Sequence, residues 1–156
     1  MITTIVEAVE MMGDFVESRS GPLGINFVGR YEESRIPKYP AVVIAPGPRD
    51  KEIHAQQTFQ IALVLDLYVY HGDITLTKRE RSKEDLQLVA NLERELETDY
   101  EFREDPDDPA TKRIIFGYVA TEAPGIVQPR SNKSNLIVCT RMTWRGLTQR
   151  RFTHES

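Results

Sequence analysis

The sequence predicts an α+β fold in which two helices cover one face of a mainly antiparallel sheet of about five strands. Three observations indicate this class: an amphipathic helical pattern at the start, a long period-two run near residue 60, and a second helical pattern midway along the chain. Apolar residues at every third or fourth position indicate a helix with one buried face, whereas alternation indicates a half-buried strand. Two such helices and one apolar strand face would bury one another in a two-layer domain.

The first half of the chain contains one predicted helix and three predicted strands. Residues 2–17 form the helix, and the small residues, glycines and proline of 18–24 predict its end. Short strands are expected at 25–32 and at 39–47, where prolines bracket a β-branched run. The charged segment 48–57 is predicted to be a loop.

The longest alternating run covers residues 58–70 and is the strongest strand signal in the chain. One of its faces is wholly apolar and is expected to pack on the helices, while the other is mixed. The residues expected to meet in this core are Leu63, Leu65, Val9, Val89 and Leu92.

The second half adds one helix and two strands, which gives the order α-β-β-β-α-β-β. The helix is predicted over residues 82–98, with Ser82 as its N-cap. Strands are predicted over 113–123 and 134–145, joined by a connection over 124–133 that is long for a hairpin.

Length and composition are those of one globular domain. The chain has 156 residues, 40% of them hydrophobic and 28% charged, with a formal net charge of −4. We expect a single domain over residues 1–156, with a polar and basic tail from about residue 146. The mild acidity argues against a generic nucleic-acid coat, and no apolar run approaches the roughly 20 residues that cross a bilayer.

The residue types that carry chemistry are scattered rather than clustered. The three histidines, His54, His71 and His154, lack paired spacing and are expected at the surface. Asp66 would suit a metal-dependent nuclease only with further acids and a lysine around the metal, so we interpret it as an acid on the exposed face of a strand. Cys139 is the only cysteine, which excludes an intramolecular disulfide, and it is expected to be buried. We therefore expect no catalytic residue, no metal and no cofactor.

Several segments together resemble a known family. They are the N-terminal amphipathic helix, the strand Tyr-Pro-Ala-Val-Val-Ile at 39–44, the run Phe-x-Ile-x-Leu-x-Leu at 59–65, the central helix, and a last strand pair with Arg-x-Thr-Trp-Arg at 141–145. In pattern, size and composition, residues 1–152 resemble the tail terminator (tail completion) proteins of long-tailed bacteriophages and related minor tail and head–tail joining proteins.

The resemblance implies a structural virion protein rather than an enzyme. Such proteins form a hexameric ring at the head-proximal end of the tail tube, end its polymerisation and join the tail to the head connector. The implied partners are further copies of the chain, the tail tube protein, the connector protein and the genomic DNA, which passes through the lumen without sequence-specific binding. The implied location is the virion, after synthesis in the host cytoplasm, with no membrane association.

Two segments of opposite charge are candidates for contacts between subunits. Residues 97–108 contain seven acids and one arginine, a local charge of −6, whereas residues 141–151 contain four arginines and no acid, a local charge of +4. A head-to-tail ring would bring one segment to each neighbour. The candidate contact residues are Arg141, Arg145, Arg150, Arg151, Asp105, Asp107, Asp108, Ile126 and Val127. The candidate lumen residues, which form an acidic stripe on the first helix, are Glu7, Glu10, Asp14 and Glu17.

The residues alone leave other functions open. The arginines of 141–151 could contact DNA phosphates, and the acids of 104–108 could attract a cation although they lack EF-hand spacing. The alternatives to a tail terminator are a head-completion or connector ring protein, a small metal-dependent nuclease and a generic protein-binding adaptor.

Overall fold

The computed structural model describes residues 5–32, 36–47, 50–55, 58–73, 79–98, 116–127 and 136–151. Its elements, in chain order, are α1 (Ile5–Leu23), β1 (Phe27–Arg30), β2 (Ala41–Pro46), β3 (Asp50–Ala55), β4 (Thr58–Asp73), α2 (Arg79–Thr98), β5 (Phe116–Thr121), β6 (Gly125–Val127) and β7 (Ile137–Arg151). The predicted α+β class and element order are confirmed, with β3 and β6 as additional short strands. From residue 99 onward, the acidic segment 97–108 lies outside the described residues.

The sheet is organised around β4 and β7. Its main path has five strands in the order β1-β2-β4-β7-β5, while β3 pairs with β4 and β6 pairs with β7. β4 and β7 run antiparallel from the pair Thr58 and Arg151 to the pair Asp73 and Ile137. Only β1 and β2, among the described strands, pair in parallel, so the sheet is mainly antiparallel as predicted.

The main core lies between the helices and one face of the sheet. β4 presents every second residue to this face, and Leu63, Leu65 and Leu67 are fully buried there. The helices bury their apolar stripes against the same face, which confirms the expected core. The helical residues of this cluster are Ala8, Val9, Met12, Val16, Leu88, Val89, Leu92 and Leu96.

Trp144 of β7 is buried in this core, and its ring occupies space that a side chain at position 146 would need. The Trp144 ring lies over Gly146, and a Cβ at that glycine would collide with the ring. Residues two apart on a strand share a face, so the missing side chain of Gly146 leaves the space that the ring occupies.

The opposite face of the sheet carries a second, smaller apolar cluster. Cys139 is buried in it, as predicted, together with Val43 and Tyr70. The face that was expected to be mixed therefore has a core of its own at the end of the sheet nearest the start of β7.

Helix α1 continues to Leu23, beyond the predicted end at residue 17. Ser18 and Ser20 donate side-chain hydrogen bonds to carbonyls three residues earlier, at 2.6 and 2.7 Å, and so remain compatible with a helix. Pro22 is tolerated because the residue before it is a glycine without a Cβ to meet the proline ring. The helix stops at Gly24, whose φ of 74° is the left-handed conformation of a glycine C-cap.

The predicted loop over 48–57 is wrong, because β3 lies within it. β2 pairs with β4 only as far as Leu65, and β3 continues along the same edge, from Asp50 opposite Ala62 to Ala55 opposite Thr58. Backbone hydrogen bonds to β4 hold β3 in the sheet. Such bonds do not require alternating apolar residues, so the sequence pattern did not indicate this strand.

Two further bounds differ from the prediction. α2 begins at Arg79, so Ser82 lies inside the helix rather than at its N-cap. β7 continues to Arg151, so the basic tail expected from residue 146 is strand for its first six residues. Those residues pair with the first part of β4, from Leu63 to Thr58, which extends the ladder along the whole of β4.

We predict that Leu65→Ala lowers the free energy of unfolding by about 2–5 kcal/mol, because it opens a cavity beneath both helices. Urea unfolding of the monomer measures this change. Leu86→Ala, at an exposed position of α2, is the matched control and should change stability by less than about 0.5 kcal/mol. Equal effects of the two substitutions would contradict the assigned core face.

Candidate interaction surfaces

The acidic stripe of α1 is tied to β1 by one arginine. The guanidinium of Arg30 lies 2.7 Å from Oδ1 of Asp14, 2.8 Å from Oε1 of Glu17 and, through Nε, 3.2 Å from Oε2 of Glu10. The hydrogen bond with Glu17, followed by the charges of the three carboxylates, raises the pKa of Arg30. These carboxylates are exposed, so the network holds α1 against the sheet edge with modest energy per pair.

Gly13 makes the Arg30 network possible. The guanidinium crosses the helix directly over Gly13, and a Cβ there would overlap its Nε and Cζ atoms. The arginine therefore lies in a groove that only glycine provides at this position of the helix.

Tyr31 extends the same edge beyond Arg30. Its hydroxyl donates a 2.9 Å hydrogen bond to Oε1 of Glu10, and this bond raises the pKa of Tyr31. Val6 lies one helical turn before Glu10, and both Val6 and Tyr31 are exposed. We call this surface the α1 edge and define it by Val6, Glu10, Asp14, Glu17, Arg30 and Tyr31.

The other face of the sheet has its own ion-pair group around Asp66. Asp66 is only 5% exposed and accepts hydrogen bonds from Arg141, at 3.1 Å to each carboxylate oxygen, and from Oγ1 of Thr143 at 3.2 Å. The charge of Asp66 raises the pKa of Arg141. Burial, followed by the charge of Asp66, raises the pKa of Tyr68. The interpretation of Asp66 as an exposed acid is wrong, because Arg141 and Thr143 lie across it.

The described residues include only some of the predicted contact residues. Arg141 already pairs with Asp66, and its guanidinium lies 3.6 Å from the carboxylate of Glu122, so it makes ion pairs within its own chain. Arg145 lies four residues further along β7, on the same face, and Ile126 is exposed on β6. Arg150, Arg151 and Val127 are placed at the ends of β7 and β6, and Asp105, Asp107 and Asp108 lie outside the described residues.

The lumen candidates occupy the exposed side of α1. Glu10, Asp14 and Glu17 contact Arg30, whereas Glu7 lies one turn before this network and is half-buried. Four acids and one arginine leave a net charge of −3 on this surface. Their place in a lumen stays a prediction.

A buried polar group that the sequence did not predict lies under the start of α2. His71 was expected at the surface but is buried, and its Nε2 forms a 2.7 Å hydrogen bond with Oγ1 of Thr140. Its Nδ1 lies 3.5 Å from Oδ1 of Asp85. The three side chains join β4, β7 and α2. No local sequence pattern indicates this contact, because its three partners lie on different elements.

This group does not have the form of a working catalytic triad. The order hydroxyl, imidazole, carboxylate resembles one, but Thr140 is only 1% exposed and offers no surface for a substrate. A cavity of about 350 Å³ lies beside His71 and is lined by Tyr39, Pro40, Asp85 and neighbouring residues.

In the described residues, no three His, Cys, Asp or Glu side chains converge as metal ligands would. Neither described helix is both long and apolar enough to cross a bilayer.

The sequence matches no family model, and no curated protein is similar enough to count as a relative.

We predict that Gly13→Ala changes the free energy of unfolding by less than about 1 kcal/mol, because its Cβ displaces the flexible Arg30 guanidinium and the lost ion pairs offset the gain of alanine in a helix. In an ordinary exposed helix the same change stabilises by about 0.5–1 kcal/mol. The control is Gly13→Ala in an Arg30→Ala background, where alanine should give its full stabilisation because no guanidinium lies over position 13. Urea unfolding of the four proteins gives the coupling free energy, and a value near zero would contradict the network.

Proposed function

We propose that this chain is a structural protein that forms a ring at the head-proximal end of a phage tail tube. The ring ends polymerisation of the tube and joins the tail to the head connector, and the genome passes through its lumen. The partners are further copies of the chain, most simply six in all, the tail tube protein and the connector protein. The ring performs no chemistry of its own.

The observation that carries this proposal is the exposed apolar edge of the sheet at β6. Ile126 is 58% exposed on a strand of three residues that pairs with β7 on one side. An exposed apolar side chain on an edge strand is a feature that proteins use for contacts with other chains. Ile126 was predicted to contact a neighbouring subunit, and its exposure supports that role.

A heterologous ring would give the molecule two different functional faces. Subunits related by a closed rotation expose one surface above and another below. One surface can match the last ring of the tail tube and the other the connector. The element order, shared with the proteins that the sequence resembles, supports this arrangement.

The environment of Asp66 favours a structural role over nuclease activity. A nuclease needs carboxylates that are open to a divalent cation. Asp66 instead accepts hydrogen bonds from Arg141 and Thr143 and is almost fully buried. A cation would have to replace the guanidinium of Arg141.

We predict that Arg145→Glu combined with Arg150→Glu weakens ring formation and tail completion while the monomer stays folded. Each exposed ion pair between the arginines of 141–151 in one copy and the acids of 97–108 in the next would contribute only about 0–1 kcal/mol. The opposite charges of the two segments would nevertheless determine how neighbouring subunits align. Electron microscopy of tail length and light scattering of the assembled particles measure the effect. We expect tails of irregular length with the variant and of uniform length with the native protein.

The control reverses two charges elsewhere, through Lys38→Glu with Arg94→Glu, and should leave tail length uniform. Uniform tails with the Arg145 and Arg150 variant would contradict the charge-paired contact. Assembly in the absence of heads separates the two ring functions, because a terminator is then found on the free tails, whereas a connector ring is absent from them.

A further inference from the structure

The cavity beside His71 is large enough to hold a small molecule. Its volume is about 350 Å³, and it lies where the end of α1, the residues just before β2, the end of β4 and the first half of α2 meet. Sites that bind small organic molecules have volumes of about 300–1,000 Å³ and combine apolar walls with a few polar groups. The groups that line this cavity therefore indicate what it could bind.

Part of the cavity wall is apolar. Leu23 is the last residue of α1, Pro40 directly precedes β2, and Leu88 belongs to the main core. Leu23 packs against the same core, so both leucines are held in place by it. Burying apolar surface against such a wall is favourable, so the cavity suits a ligand with an apolar body.

The carboxylates that line the cavity both come from α2. They belong to Glu84, which is exposed, and to Asp85, whose side chain is only 15% exposed. Oδ1 of Asp85 lies 3.5 Å from Nδ1 of His71, and this imidazole is itself hydrogen-bonded to Thr140. The sheet thus positions the Asp85 carboxylate at the cavity.

The end of α1 adds to the negative potential of the cavity. The last carbonyl groups of a helix carry partial negative charge, and the last turn of α1 holds no basic residue. Leu23 and Gly24, which line the cavity, lie at this end. The positive end of α2, at Arg79, lies about 9 Å along the helix axis from Asp85, whereas the effect of a helix dipole is confined to about one turn.

The nearby cations do not line the cavity. Lys38 and Lys83 each adjoin a lining residue in the chain, but both are exposed, and neither contributes to the wall. Solvent and salt screen such exposed charges. Arg19, one turn before the end of α1, pairs with Glu95 at 3.4 Å, about 15 Å further along α2 than the carboxylates of the cavity. Among the residues that line the cavity, none is a lysine or an arginine.

We propose that this cavity binds a small organic cation, namely a primary ammonium group on a short apolar body. The ammonium donates charge-assisted hydrogen bonds to the carboxylate of Asp85, and Glu84 adds a second negative charge at the rim. The apolar body lies against Leu23, Pro40 and Leu88. The site is independent of the proposed ring function, because it requires only one copy of the chain.

Binding of phenethylammonium to the full chain, measured by titration calorimetry and heteronuclear NMR, tests the proposal. Phenethyl alcohol and phenylpropionate are the matched neutral and anionic probes. We expect the ammonium to bind at least about tenfold more tightly than the alcohol, because charge-assisted hydrogen bonds are stronger than neutral ones. The anion should not bind. The amide resonances of Gly24 and Asp85 should shift with the ammonium, whereas those of β5 should not.

Three variants locate the charge that the ligand requires. Asp85→Asn keeps the size of the side chain and should weaken ammonium binding at least about tenfold. Glu84→Gln, at an exposed position, should weaken it about two- to threefold. Glu97→Gln removes the same charge near the far end of α2 and should bind like the native chain. Circular dichroism and urea unfolding check that each variant is folded.

Three results would overturn the proposal. They are the absence of saturable ammonium binding, binding of the alcohol as tightly as the ammonium, and unchanged binding by folded Asp85→Asn. If Asp85→Asn does not fold, the comparison of Glu84→Gln with Glu97→Gln decides, and equal affinities of these two variants would contradict the assigned site.

Discussion

The rest of the structure depends on the antiparallel pairing of β4 with β7. The register runs without interruption from Thr58 to Tyr70 of β4 and places the buried leucines of β4 beside Met142 and Trp144 of β7. A slip by one residue would turn every one of these side chains to the opposite face. The pairing thereby fixes which face the two helices must cover and which face carries Asp66 and Arg141.

The central position of these two strands also determines which strands lie at the edges of the sheet. With β4 and β7 in the middle, the short strands β1, β3, β5 and β6 lie at the edges. Arg30 then holds α1 along one edge through the carboxylates of the acidic stripe, while the exposed apolar groups near β6 border the other. One chain thus presents two unlike edges, which the proposed head-to-tail ring would require.

The sequence predicted most of the fold because most of it is encoded in local periodicity. The alternation in residues 58–70 located β4 and its buried face, and the stripe ending at Leu96 located α2. β3 was missed because it is held by backbone hydrogen bonds to β4, the next strand along the chain, and such bonds require no alternation of apolar residues. Its own residues, Asp50–Ala55, show no alternation. The candidate surfaces were predictable only in part, because the partners of Arg30, Asp66 and His71 come from other elements and depend on the tertiary register.

Native-state hydrogen exchange of the backbone amides is the measurement that tests the central role of the β4 and β7 pair most directly. The account predicts that the slowest exchange in the chain occurs in the middle of these strands, over residues 63–69 and 139–144, and follows the free energy of global unfolding. The amides of β1, at the edge, should exchange through smaller local openings. Exchange in the middle of β4 as fast as in β1 would show that the pairing does not organise the fold, and would contradict the account.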